Sequence, residues 1–186
     1  MHAERHALLD AFRHYGERWP AEPDVERCVA WLRDSEQPFH RETLAGHFTG
    51  SAWLVSGDGE RVLLMLHRKL GRWLQPGGHA DGDPDLAEVA LREAREETGL
   101  RDLEVHPVIF DVDTHRIPAR GHEPEHWHHD VRYVVVARGD ETFVVNEEAL
   151  ALAWRPVADI AADPEADVSL RRMAAKWLVM RDTLMS

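Results

Sequence analysis

The sequence is short of several things, and each shortage excludes a class of protein. Its 186 residues hold one cysteine, Cys28. A single thiol cannot close an intramolecular disulfide, so a disulfide-stapled scaffold is excluded and a reducing, cytoplasmic setting is expected. No apolar run approaches the roughly 20 residues of a membrane span. The N-terminal MHAERHALLDAF is charged from the start and has no apolar h-region, so neither a signal peptide nor a membrane anchor is expected. Basic residues are outnumbered, 22 Lys+Arg against 34 Asp+Glu, for a net charge of −12. That balance excludes a general binder of nucleic-acid polymers, which needs basic patches. It leaves room for a small phosphorylated ligand, because a bound cation can supply the local positive charge.

What remains is an ordinary globular composition, 44% apolar and 30% charged. The length suits one domain with a substantial core, or one domain plus a helical appendage. Histidine is abundant. There are 13, and His106, His115, His122, His126, His128 and His129 crowd into residues 106–129.

Hydrophobic periodicity supplies the elements. Leu8, Leu9, Phe12 and Tyr15 repeat at helical spacing within 4–18, and Val25, Cys28, Val29 and Leu32 do so within 24–34, with Asp24 as the expected N-cap. Cys28 on that stripe reads as a buried structural thiol. From Phe48 the pattern changes. SAWLVS and RVLLMLHR read as strands joined by GDGE, and residues 70–85 read as loop. A strong helix follows over 86–100, with Leu86, Val89, Ala90 and Ala94 as its apolar stripe. LEVHPVIFDVDTH, WHHDVRYVVVA and LALAWRPV read as strands, and TFVVN as a short one. The closing amphipathic helix buries Leu170, Met173, Ala174, Trp177 and Leu178. This order predicts an α/β sandwich, a mixed sheet with helices packed on it.

The stretch REAREETG, residues 92–99, is poor helix design. Glu93 faces both Glu96 and Glu97, and each like-charge pair costs roughly 0.2–0.5 kcal/mol. The carboxylates also oppose the helix dipole at the end that Gly99 closes. A solvated charged face explains an isolated pattern of this kind. A divalent-cation site also explains it, because hard cations take their oxygens from a few carboxylates.

The surrounding residues decide between the two. GGHADGDPDLAEVALREAREETGL (77–100) resembles the signature of the Nudix hydrolase superfamily, G-x5-E-x7-R-E-U-x-E-E-x-G-U. Gly78 matches the first glycine. Arg92, Glu93, Ala94, Glu96, Glu97, Gly99 and Leu100 match the second half at the right separation. The loop glutamate of the signature falls on Pro84, flanked by Asp83 and Asp85, and its role is carried to neither. The resemblance implies a Nudix-type α/β/α sandwich over 46–186, preceded by an N-terminal helical extension over 1–45. It implies Mg²⁺ or Mn²⁺ held by Glu93, Glu96, Glu97 and the Gly78 carbonyl. It implies hydrolysis of a diphosphate linkage in a nucleoside diphosphate derivative, with Glu96 and Glu97 as the in-box candidates for the base and Arg92 orienting a glutamate. The alternative on the same fold is a non-catalytic ligand sensor. An allylic diphosphate isomerase would need a cysteine near the sheet, and Cys28 lies in the N-terminal helices. The N-terminal helices also offer a surface for a homodimer.

HEPEHWHHDVRY (122–133) opens the strand after this box. Side chains alternate along a strand, so His126, His128 and Asp130 are expected on one face. So short a motif has no fixed partner elsewhere in the chain, which favours a metal-free wall of the active site that contacts substrate, with His79 facing the same pocket. Glu147 and Glu148, before the tryptophan strand, are candidates for a late acidic ligand. Trp53, Trp73 and Trp154 are weaker candidates for base stacking.

Overall fold

The structure, a computed structural model, describes residues 2–147 and 149–185. Two helices come first, α1 (His2–Arg18) and α2 (Asp24–Asp34). Then come β1 (Gly46–Val55), β2 (Arg61–His67), β3 (Trp73–Leu74), β4 (Gly77–His79), α3 (Leu86–Thr98), β5 (Leu103–Ile117), β6 (His126–Ala137), β7 (Ala149–Pro156), α4 (Val157–Ala162) and α5 (Val168–Leu184).

The sheet runs β3-β2-β1-β6-β5, with β4 added to β1 and β7 to β2. Its centre is a parallel pair, β1 and β6, in unbroken register from Gly46 opposite Trp127 to Val55 opposite Val136. The other pairings are antiparallel. Helices cover both faces, so the expected sandwich with a mixed sheet is what forms. Every residue of β1 is buried, as a strand covered on both faces requires.

The two faces carry separate cores. Phe48, Ala52 and Leu54 of β1 pack with Leu86, Val89, Ala90 and Ala94 of α3. Leu8, Phe12, Tyr15, Val25, Cys28 and Leu32 of the N-terminal helices join that same core. The ring of Phe12 lies over Phe48 with centroids 6.1 Å apart. The alternate residues of β1, Trp53 and Val55, face α4 and α5 and pack with Val157, Ile160, Met173 and Trp177. Fully burying an aromatic or aliphatic side chain of this kind contributes about 1.5–3 kcal/mol. By the two-residue period of a strand, His47, Thr49 and Ser51 share this second face.

Several expectations need correction. Asp24 is the first residue of α2 and not its cap; Pro23 holds the N-cap position without a side-chain hydrogen bond. Residues 70–85 are not all loop, because β3 and β4 form there. TFVVN is not a strand: the Val144 amide donates to the Thr98 carbonyl at 2.7 Å, and Phe143 packs on the core. Leu178 is exposed, and Met180 is buried in its stead. The inward face of α5 also carries a charge, Lys176, which is buried. No described helix is long and apolar enough to cross a membrane.

Candidate functional site

Helix α3 is held at both ends. The Asp85 carboxylate accepts from the Glu88 amide at 3.2 Å, and Gly99 closes the helix at φ 74°, where a side chain is disfavoured. Glu93 and Glu97 lie one turn apart and face β4. The Gly77 amide donates to Glu97 Oε2 at 2.9 Å, and Glu97 is buried. Gly78 is pressed against Glu93 so closely that a Cβ there would lie 2.5 Å from the carboxyl carbon. Arg92 reaches back along the same face. Its Nη2 lies 3.6 Å from Glu93 Oε1 and donates to the His79 carbonyl at 3.4 Å, and its Nη1 lies 3.7 Å from Asp83. Arg92 therefore reaches Glu93, and not the Glu96 that helical spacing also permits. Glu96 is exposed. The residues around Pro84 have other tasks: Asp83 faces Arg92 and Asp85 caps the helix.

On the opposite face of the sheet a polar ladder crosses four strands. Ser51, Arg132 and Asp111 form one rung, and Thr49, Asp130 and Asp113 the next. His47, His128 and His115 form the third, and His79 on β4 lies opposite Thr49. The lower rungs are a buried ion-pair network. Arg132 donates to Asp130 at 2.7 Å, to Asp111 at 2.9 Å and to Asp113 at 3.1 Å. From α5, Arg172 donates to Asp111 at 2.7 Å, and Lys176 lies 2.6 Å from both Asp111 and Glu22. The Lys176 ammonium also sits over the rings of Tyr15 and Trp19, which ties α5 to the N-terminal helix. Burial opposes ionisation of Asp111, but Arg172, Arg132 and Lys176 overcome it and hold the carboxyl below its usual range. Asp113 is likewise pulled down against burial, by His115 and the same arginines.

The third rung is a cluster of imidazoles. His47 packs against His79, His126 and His128, with ring centroids 5.0, 5.0 and 4.8 Å away. Burial, then the neighbouring rings His79 and His126, lowers His47 to about 4. Burial and the surrounding histidines lower His128 to about 2. Burial also lowers His79. At neutral pH His47 and His128 are uncharged.

The structure thus brings together Gly78, Glu93, Glu97 and Arg92 on one side of β4, and His79, His126 and His128 on the other. Asp130 does share the face of His126 and His128, yet it is buried. Its Oδ1 accepts from Thr49 at 2.8 Å and Ser51 at 2.7 Å, and its Oδ2 from Arg132. Asp130 is a hub inside the sheet and not a surface offered to substrate. Glu147 is exposed, in a turn whose carbonyl accepts from Arg68; Glu148 lies outside the described residues. Trp53 is fully buried and cannot stack on a ligand. Trp154 donates to the Glu141 carbonyl and lies beneath Arg61, while Trp73 is half-buried beside the α5 core. The Cys28 thiol is buried, and burial pushes it up to about 12, so it is inert as a nucleophile. Sequence reasoning missed His47, Thr49, Ser51, Arg132, Asp111 and Asp113. Polar residues at every second position of DVDTH were the available signal.

Comparison with known proteins identifies the family and the fold. The model of the NUDIX domain matches residues 47–177. The human protein named nucleoside diphosphate-linked moiety X motif 6 is 27% identical over 147 residues, covering 76% of this chain and 44% of that protein. A putative 8-oxo-dGTP diphosphatase 3 of Mycobacterium tuberculosis is 31% identical over 134 residues, 67% of this chain and 56% of its own length. The chain spans about half the length of these curated relatives. Among solved structures, a C. elegans Ap4A hydrolase superposes with TM-score 0.58 at 16% identity, covering 73% of this chain and 98% of that one. The chain belongs to the Nudix family.

Proposed function

We propose that the chain is a Mg²⁺- or Mn²⁺-dependent pyrophosphohydrolase that cleaves a diphosphate linkage in a nucleoside diphosphate derivative. The observation that carries the reading is the convergence of Glu93 and Glu97 on the Gly77–Gly78 backbone. The donors there are hard oxygens, the set that Mg²⁺ takes alongside waters and substrate phosphates. The bare backbone at Gly78 fits such an ion, because any side chain would fill the gap to Glu93. Glu93, Glu96, Glu97 and the Gly78 carbonyl would hold it. When bound, the cation neutralises phosphoryl oxygens and makes an attacking water more acidic.

The chain's own residues do the remaining work. Arg92 positions Glu93, and its always-charged guanidinium offsets the repulsion within the cluster. The Gly77 amide commits one oxygen of Glu97, which fixes the direction of the other. Glu96, facing solvent, and Glu97 are the carboxylates available to take the proton as water attacks phosphorus. The P–O bond to the leaving phosphate breaks, and two phosphorylated fragments result. The names of the relatives, an 8-oxo-dGTP diphosphatase and an Ap4A hydrolase, support a nucleotide in the substrate.

The test is a chromatographic product assay with Mg²⁺ and a panel of nucleoside triphosphates, nucleotide sugars, dinucleotides and CoA. Cleavage by wild type, lost in Glu97→Gln, is the expected result. An intact, metal-binding wild type that cleaves no member of the panel would move the reading to a ligand sensor.

A further inference from the structure

The histidine cluster lies across β4 from the acidic helix, and the diphosphate cleavage proposed above assigns it no chemical step. His47 is 3% exposed, yet neither of its ring nitrogens makes a hydrogen bond of normal geometry among the described residues, and only the Thr43 backbone lends it polar support. A buried polar group left poorly partnered is destabilising, so such a ring is normally satisfied by something. Two further imidazoles turn toward this ring. One ligand nitrogen each from His47, His126 and His128 lies within 4.8 Å of the others. The Nε2 atoms of His126 and His128 are 3.2 Å apart. Two nitrogens bound to one tetrahedral Zn²⁺ at about 2.0–2.1 Å would be about 3.3 Å apart.

The surroundings suit ligation. His126 Nδ1 is 2.9 Å from the Pro124 carbonyl. Donation to that oxygen leaves the lone pair on Nε2, the atom facing His128. A ligating histidine is usually oriented in this way, by a hydrogen bond at its far nitrogen. The parallel register of β1 and β6 sets His47 directly opposite His128. The partner that the short HxHxD motif lacked is therefore supplied by the neighbouring strand.

We propose that His47, His126 and His128 form a binding site for a divalent first-row transition metal, zinc being the best match to three converging imidazole nitrogens with a fourth position open. Imidazole suits zinc, copper, iron and nickel, whereas Mg²⁺ prefers oxygen. The site is separate from the carboxylate set: Gly78 faces Glu93, while the next residue, His79, faces the histidines.

The test uses tag-free protein, stripped with a chelator and re-equilibrated with micromolar Zn²⁺, with bound metal counted by mass spectrometry. One zinc per chain is expected in wild type and in the Glu93→Gln/Glu97→Gln double variant. Affinity is expected to fall by on the order of 100-fold or more in His47→Ala and in His128→Ala, beyond what losing a supporting group costs. A wild type that holds no zinc would overturn the proposal. So would zinc retained unchanged in both histidine variants, or zinc lost only in the glutamate variant. Should the histidine variants fail to fold, anomalous scattering at the zinc edge from wild-type crystals decides. A peak among the three rings upholds the site; a peak elsewhere, or none, overturns it.

Discussion

Replacing Arg132 by methionine removes the cation at the centre of the polar ladder. Its guanidinium is 3% exposed and spans three carboxylates, Asp130 at 2.7 Å, Asp111 at 2.9 Å and Asp113 at 3.1 Å. The network sets three cations (Arg132, Arg172, Lys176) against four carboxylates (Asp111, Asp113, Asp130, Glu22). Without Arg132 there are two cations against four, and Asp130 keeps only Thr49, Ser51 and a long contact from Gln75. Removing one partner from a buried pair costs about 3–5 kcal/mol, because the surviving charge stays buried. Methionine fills similar space, so the loss is electrostatic and not a cavity. Against a typical stability of about 5–15 kcal/mol, the variant folds but weakly. The assay is denaturant unfolding followed by tryptophan fluorescence. The deficit is expected to shrink toward pH 4, where protonation relieves the stranded carboxylates. Arg132→Lys, which keeps the charge but loses the fork, is expected to fall between. A loss below about 1 kcal/mol, the size of an exposed salt bridge, would refute the reasoning.

Further outcomes follow from the same geometry. Gly78→Ala is expected to leave the fold intact, since the far end of Glu93 can swing away, but to lower turnover by on the order of 100-fold by moving that carboxylate; comparing melting temperature with kcat separates the two effects. Asp111 and Asp113 are held below their usual values. Their contribution to stability is therefore full above the unfolded carboxylate pKa of about 3.9 and is lost as pH falls through the lower folded values, which an acid-unfolding series reads. Gly99→Ala forces a side chain into the left-handed region at φ 74° and is expected to cost about 1–2 kcal/mol in denaturant unfolding.

How much was legible in the sequence depended on whether the signal was local. The box on α3 was legible because one helix and one loop carry it, and helical spacing alone brings Glu93 and Glu97 to one side. The strands read at 51–56, 61–68, 103–115 and 127–137 announced themselves through apolar runs bounded by turn residues, although β1 in fact begins earlier, at Gly46. The histidine site was only half legible. Alternation put His126, His128 and Asp130 on one face, but the identity of the neighbour depends on register, and a slip of one residue reverses every side chain. His47 looked like part of a connector because the start of β1 is polar. The ion-pair network was hidden for the same reason, since Asp111, Arg132 and Lys176 lie on three elements far apart in sequence. Lys176 was likewise absent from the buried face expected for α5. A charged residue on an apolar stripe is normally assigned to solvent, and here Asp111 and Glu22 draw it inward.

The central claim is that the glutamates around Gly78 form the catalytic cation site. The most direct measurement is the initial rate of diphosphate cleavage across a Mg²⁺ series, for wild type and for Glu97→Gln, on the best substrate of the panel. The account predicts a rate that rises from near zero to saturation in wild type. In Glu97→Gln it predicts a loss of about 100-fold or more at every Mg²⁺ concentration with the fold preserved, the scale on which removing a stabilising group from an active site is felt. Cleavage that proceeds without a divalent ion, or that survives unchanged in Glu97→Gln, would contradict it.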